Sequence, residues 1–209
     1  MGRPREFDET EVLVAAIDCF WERGYEATSI RELADKMGLT GASLYNAFGD
    51  KRTLYRRALY HYIETTFADR VQRLEGKLPP LQAIKAFFSE IIERSLDDKQ
   101  RKGCMLVNSA LEIAPHDPEF RETVTEVLEH IEAFFRRCVQ EAGQQDGTIT
   151  TSQSAADLGR LLFGVHIGLR VIARTRPERT LLEGMVRPAL ALLSPKTAHN
   201  ISSRAHSAT

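Results

Sequence analysis

Apolar residues recur at every third or fourth position along most of the chain, and alternating β-branched runs are missing, which predicts an all-helical protein. Leu13, Ala16, Ile17, Phe20 and Trp21 fall on one helical face between about Asp8 and Arg23. Asp8 with Glu11 makes a capping-box-like start to that helix, and Gly24 stops it. Ser29 with Glu32 opens a second helix that ends at Met37-Gly38. Thr40 is placed to cap a short third helix ending near Phe48-Gly49. Asp50 caps a long fourth one whose stripe is Tyr55, Ala58, Leu59, Tyr62 and Ile63.

The pattern then continues through five more helical segments. Pro79-Pro80 opens one through Phe87, Phe88, Ile91 and Ile92, and Gly103 to Ile113 is a short apolar stretch. Asp117-Pro118 places an N-cap before a proline at the first helical position, starting a long helix with the stripe Val124, Val127, Leu128, Ile131, Phe135 and Cys138. Gly143 to Gly147 is expected to be a loop. Two further helices are expected at roughly 152–173 and 178–193, giving about nine in all. Residues 195–209 carry almost no apolar bulk and read as a disordered tail.

Composition narrows the class by exclusion. No run of about 18 apolar residues exists, so no membrane span is expected. Met1 to Glu6 lacks an apolar stretch behind it and does not read as a signal peptide, which points to the cytoplasm. Cys19, Cys104 and Cys138 are odd in number and far apart, an argument against a disulfide framework or a zinc site. The net charge of −1 does not announce a nucleic-acid binder. Its distribution is more informative. Lys36, Lys51, Arg52, Arg56 and Arg57 face only Asp50 between Lys36 and Tyr62, and Arg3 and Arg5 add a small basic arm.

Ser29 to Phe48 carries the motif. Two helices crossing at a sharp angle need a small residue at the contact, which Ala34 supplies. The turn needs a residue tolerant of positive φ, and Gly38 stands four positions later. A large apolar plug is then required from the second helix, and Leu44 follows six beyond the glycine. Ile30, Leu33, Met37 and Leu39 fill the other inward positions. A helix-turn-helix of this build presents its second helix to the DNA major groove.

Residues 8–62 resemble the DNA-binding domain of the TetR family, above all in Gly24-Tyr25, Thr28 to Ala34, and Leu44-Tyr45-Asn46-Ala47-Phe48-Gly49-Asp50-Lys51. Beyond them only the helical layout and length are similar. The resemblance implies a DNA-binding domain over 1–62 (motif 29–48) and a helical effector-binding and dimerisation domain over 63–194. It further implies a homodimer on an inverted-repeat operator in double-stranded DNA, with repression relieved by a small-molecule effector. In and beside the motif, Thr28, Thr40, Tyr45 and Lys51 are expected near phosphates, together with the N-terminus of the third helix, and Ser29 is counted among the DNA-binding residues. Gly41, Ala42, Ser43 and Asn46 lie on the outward side of that helix. Asn46 suits adenine, Ser43 either base type, and Ala42 a thymine methyl.

The segment 152–173 is apolar on more than one side, with Gly159, Gly164 and Gly168 offering bare backbone. Leu182, Met185, Val186, Ala189, Leu190 and Leu193 follow on the last helix, and the two together predict a four-helix dimer interface. Candidates to line an effector pocket are Phe88, Cys104, Asn108, Phe134, Phe163 and His166. For Asn108 and His166 a satisfied core role stands as the alternative. Cys104 begins a short helix just after Arg101 and Lys102, an arrangement that lowers a thiol's pKa and suits a redox or electrophile switch; a structural role is the alternative. Cys104 with His116 lacks a third orienting group, and His61, His130 and His166 lack ligand spacing. No enzyme, metal or cofactor is therefore expected.

Overall fold

The computed structural model describes residues 7–145, 147–150 and 152–195, so the basic arm at Arg3 and Arg5 and nearly all of the expected tail lie outside it. Among the described residues every regular element is helical. In chain order these are α1 (Glu9–Arg23), α2 (Ile30–Met37), α3 (Gly41–Phe48), α4 (Lys51–Ile63), a π turn (Glu64–Ala68), α5 (Asp69–Leu74), α6 (Pro80–Asp97), α7 (Met105–Glu112), α8 (Pro118–Gln145), α9 (Ala155–Thr175) and α10 (Arg179–Leu192). Because α4, the π turn and α5 run on without a break, these elements form nine rods, the number expected from periodicity.

The helix starts follow capping chemistry. Asp8 accepts from the backbone N–H groups of Thr10 and Glu11. Ser29 and Glu32 form a complete capping box. Thr40 accepts from Ser43 N and Asp50 from Thr53 N. Asp117 accepts from the N–H groups of Glu119 and Phe120 ahead of α8. Each satisfies donors a helix start otherwise leaves without partners.

Two features depart from the expected pattern. The segment read as a loop from Gly143 is helical as far as Gln145, because α8 runs on past the glycine. The fourth rod contains the π turn, where Thr65 donates its hydroxyl to His61 O (2.7 Å) and Thr66 donates to Tyr62 O (2.5 Å). Two neighbouring hydroxyls drawing on the carbonyls one turn back loosen the regular ladder there.

α1 to α4 pack into an N-terminal unit around Ala16, Phe20, Leu33, Leu44, Leu54 and Leu59, all buried. The remaining helices build on the α8–α9 pair, with α6 across both and α10 closing against α6 and α9. Gly159 allows the close approach of α9 to α8: a Cβ there would stand 3.0 Å from the Arg136 Cα. At the centre Phe87 meets Phe134, Phe135 and His166 with ring centroids 5.0–5.3 Å apart. No described helix is long and apolar enough to cross a membrane.

Candidate nucleic-acid interface and inner cavity

The helix-turn-helix is assembled as the spacing requires. Gly38 adopts φ +65°, the left-handed region that a side chain would strain, and ends α2. Leu44 and Phe48 turn inward from α3 and are buried, whereas Ala42, Ser43, Tyr45 and Asn46 of the same helix are exposed. Tyr45 is 51% exposed, far more than a packing tyrosine needs. Gly41 is half-buried at the helix start, with open space where a Cβ would stand.

The flanking polar residues are held in specific ways. Thr40 is exposed, and its hydroxyl lies 2.9 Å from that of Ser43. Ser29 is exposed but engaged by Glu32. Lys51 donates to Glu26 O (3.3 Å) and sits 4.5 Å over the Tyr25 ring, so its ammonium is pinned beside the α1–α2 loop. Thr28 is placed differently from the sequence expectation. It is 1% exposed and donates its hydroxyl hydrogen to Gly24 O at 2.6 Å, turning it inward to fasten the loop rather than outward to a phosphate.

A second feature lies between the long helices, a cavity of about 30 Å³. Tyr62 and Arg70 line it from the fourth rod, Arg94 from α6, Cys104 from the α7 N-cap, and His166 and Arg170 from α9. Two of the pocket candidates, Cys104 and His166, are thus brought together. Four are not. Phe88 and Phe134 are wholly buried in the aromatic cluster, where Phe88 stacks on Phe135. Asn108 is satisfied by Lys102 O (3.1 Å) and by Arg174 (3.2 Å). Phe163 packs at the edge of the core and does not line the cavity.

The electrostatics of Cys104 also differ in origin from the expectation. Burial pushes its thiol up, but the Arg170 guanidinium, the Val107 N–H and the Tyr62 hydroxyl (3.7 Å) outweigh that and hold it below the ordinary thiol value. Lys102 is engaged elsewhere, 3.0 Å from Asp18. Cys138 behaves as a structural residue, its thiol pushed up to about 12 chiefly by burial. Cys19 is likewise raised, first by burial.

His166 is pushed down to about 3, by burial first and then by Arg170 and Arg70. Its native state therefore stays neutral while the unfolded chain protonates near 6.5. The stability it contributes is fully present above that value and is lost as the pH falls toward 3. Between pH 6.5 and 5 the loss amounts to about 2 kcal/mol. His166→Phe should flatten this acid limb in thermal melts recorded across pH; an unchanged limb would place the acid sensitivity elsewhere.

The chain matches known proteins over most of its length. The family model for bacterial regulatory proteins of the tetR family matches residues 12–58, and the tetracyclin repressor-like C-terminal domain matches 80–187. The HTH-type transcriptional regulator YezE of Bacillus subtilis is 33% identical over 92% of this chain and 100% of its own. The HTH-type transcriptional repressor ComR of Escherichia coli is 27% identical over 83% of this chain and 82% of its own. Among solved structures, a cysteine-substituted TetR family regulator CifR bound to 26-base-pair operator DNA superposes with a TM-score of 0.81. It is 31% identical and covers 92% of this chain and 100% of its own. An N-terminal helix-turn-helix with α3 exposed, a helical C-terminal unit around a cavity and two matching family models together establish that this chain belongs to the TetR family of DNA-binding transcriptional regulators.

Proposed function

We propose that the protein is a homodimeric repressor of an inverted-repeat operator, with residues 1–62 reading DNA and 63–194 dimerising and holding the effector. The observation that carries this reading is the split of α3, whose Leu44 and Phe48 anchor it while Ala42, Ser43, Tyr45 and Asn46 stand free along one edge. Asn46 and Ser43 serve as base readers; Tyr45, Thr40, Gly41, Lys51 and Ser29 line the phosphate side, and Thr28 positions the loop beneath them.

Dimerisation is assigned to α9 and α10. Leu161, Val171 and Leu192 are exposed there at 37%, 44% and 52%, and Gly164 has nothing near its missing Cβ. Small and apolar residues left uncovered on one face suit a second copy of the same pair of helices.

Release is assigned to α7, which runs from the cavity to the DNA-binding unit. Cys104 and Leu106 at one end line the cavity. Ser109 meets the Tyr55 hydroxyl at 2.8 Å in the middle. Glu112 at the far end accepts from Glu26 N at 2.9 Å, in the loop leading into α2. Arg52 of α4 donates twice to Asp117 (2.7 and 2.9 Å) just beyond. A filled cavity displaces α7, and α7 moves the loop on which α2 is seated. A second reading, covalent modification of Cys104 as the trigger, is favoured by the lowered thiol and by its place in the cavity wall.

Selection of duplexes from a random pool, with the solution mass recorded alongside, tests the proposal: an inverted repeat bound by a dimer is expected. On that duplex Tyr45→Phe or Lys51→Ala should weaken binding to every sequence alike, and Lys51→Ala, which removes a charge, should also soften its salt dependence. Asn46→Ala should instead relax preference at one base step by about 1–3 kcal/mol. Failure to enrich any sequence at low salt would overturn the proposal.

A further inference from the structure

The inner cavity gathers an unusual excess of positive charge. Arg70 and Arg170 are 6% and 5% exposed, and Arg94 joins them at the rim. Among the described residues no carboxylate lines the cavity. Arg170 donates to two neutral acceptors, Ser95 Oγ at 3.0 Å and Gly103 O at 2.6 Å, and its acidic neighbours are the Cys104 thiol and the Tyr62 hydroxyl rather than a carboxylate. Arg70 engages Glu90 through Nε alone (3.1 Å), and Glu90 is shared with Arg73 at 2.9 Å. The first turn of α7 adds the positive end of its dipole at Cys104 and Leu106.

A polar group in the same wall has no partner among the described residues. His166 is 5% exposed, and its buried Nδ1 makes no hydrogen bond. Buried nitrogens are ordinarily satisfied, and an orphan beside a cavity marks the place of a missing acceptor or donor. Two of the cavity's titratable groups also sense the arginines: Arg170 holds Cys104 low, and His166, kept neutral first by burial, is pushed further down by Arg170 and Arg70. Space for about two water-sized particles excludes a bulky apolar molecule and suits a planar group of three or four heavy atoms.

We propose that this cavity is a binding site for a small carboxylate, with Arg170 and Arg70 facing its oxygens, His166 Nδ1 completing the hydrogen bonds and Arg94 guarding the entrance. Guanidinium groups match carboxylates in geometry as well as charge. The proposal rests on the reading of the cavity as the effector site, because it names the chemical class such an effector would have. Cys104 shares Arg170 with an incoming carboxylate, so an occupied site disfavours the ionised form of its thiol.

Titration of the full-length protein with sodium formate and sodium acetate, against sodium chloride at matched ionic strength, tests the site directly. The expected result is a saturable change in the His166 ring resonances in histidine-labelled protein, with slower methylthiolation of Cys104. Arg94→Gln, which alters an exposed rim residue, should weaken acetate binding about tenfold with an unchanged melting temperature. Cys104→Ser, which removes the ionisable group that shares Arg170, should leave acetate binding no weaker. An absent response, or one that chloride reproduces, overturns the proposal. Operator binding, measured separately, distinguishes the two readings. Carboxylate that fills the cavity without moving operator affinity overturns the effector reading and leaves the anion site standing. Release by an uncharged compound, with no carboxylate response, does the reverse.

Discussion

Leu44→Ala is expected to abolish operator binding in a protein that remains folded through α6 to α10. Leu44 is completely buried and is the large apolar group that α3 drives between its neighbours. Truncation removes that burial and leaves a void, a combination that costs about 2–5 kcal/mol at fully buried leucines. The N-terminal unit is small, and few other contacts hold α3 against it. The loss falls on α3, whose exposed Ser43, Tyr45 and Asn46 are the proposed DNA contacts. Fluorescence anisotropy with the selected duplex, together with solution mass and a thermal melt, separates the effects. Unaltered mass with lost binding is the expected pair; a variant that binds as tightly as the parent would remove Leu44 from its anchoring role.

Phe87→Ala is expected to be the most destabilising single change in the C-terminal unit. Phe87 is wholly buried, touches the rings of Phe88, Phe134, Phe135 and His166, and lies beneath the Arg70 guanidinium at 5.3 Å. Losing a central phenylalanine costs about 3–5 kcal/mol, a drop of roughly 10 °C in melting temperature for a chain of this size. Phe87→Leu keeps most of the volume and should cost much less. The loss extends to the cavity, since Arg70 and His166 both rest on this ring. A melt within a degree or two of the parent would show that the cluster can close over the void.

The DNA-binding unit was legible from sequence because its determinants are local. Ala34, Gly38 and Leu44 act through fixed spacing along one stretch, and the caps at Asp8, Ser29, Thr40, Asp50 and Asp117 each act within three residues. The error at Thr28 shows the limit. A threonine beside a helix-turn-helix has the chemistry of a phosphate ligand, but the direction of its hydroxyl depends on the Gly24 carbonyl one turn back. His166 was visible as a polar group in apolar company, and Cys104 as a thiol at a helix start just after Arg101 and Lys102. Arg70, Arg94 and Arg170 were not, since an arginine on an amphipathic helix ordinarily marks its solvated side. The one signal was Arg170 itself, a charge set between Leu169 and Val171 in an otherwise apolar run.

By itself, the sequence determined the helical class, the order and caps of the rods, and the helix-turn-helix with its exposed reading edge. Each follows from interactions within about a turn or two of chain, so periodicity and spacing suffice. Only the tertiary structure decided that α7 joins the cavity to the loop before α2, and that four separate helices bring arginines, a histidine and a thiol to one small space. Those meetings depend on how helices dozens of residues apart cross and pack, and nothing in the local pattern of any one helix records where its neighbours' side chains will end.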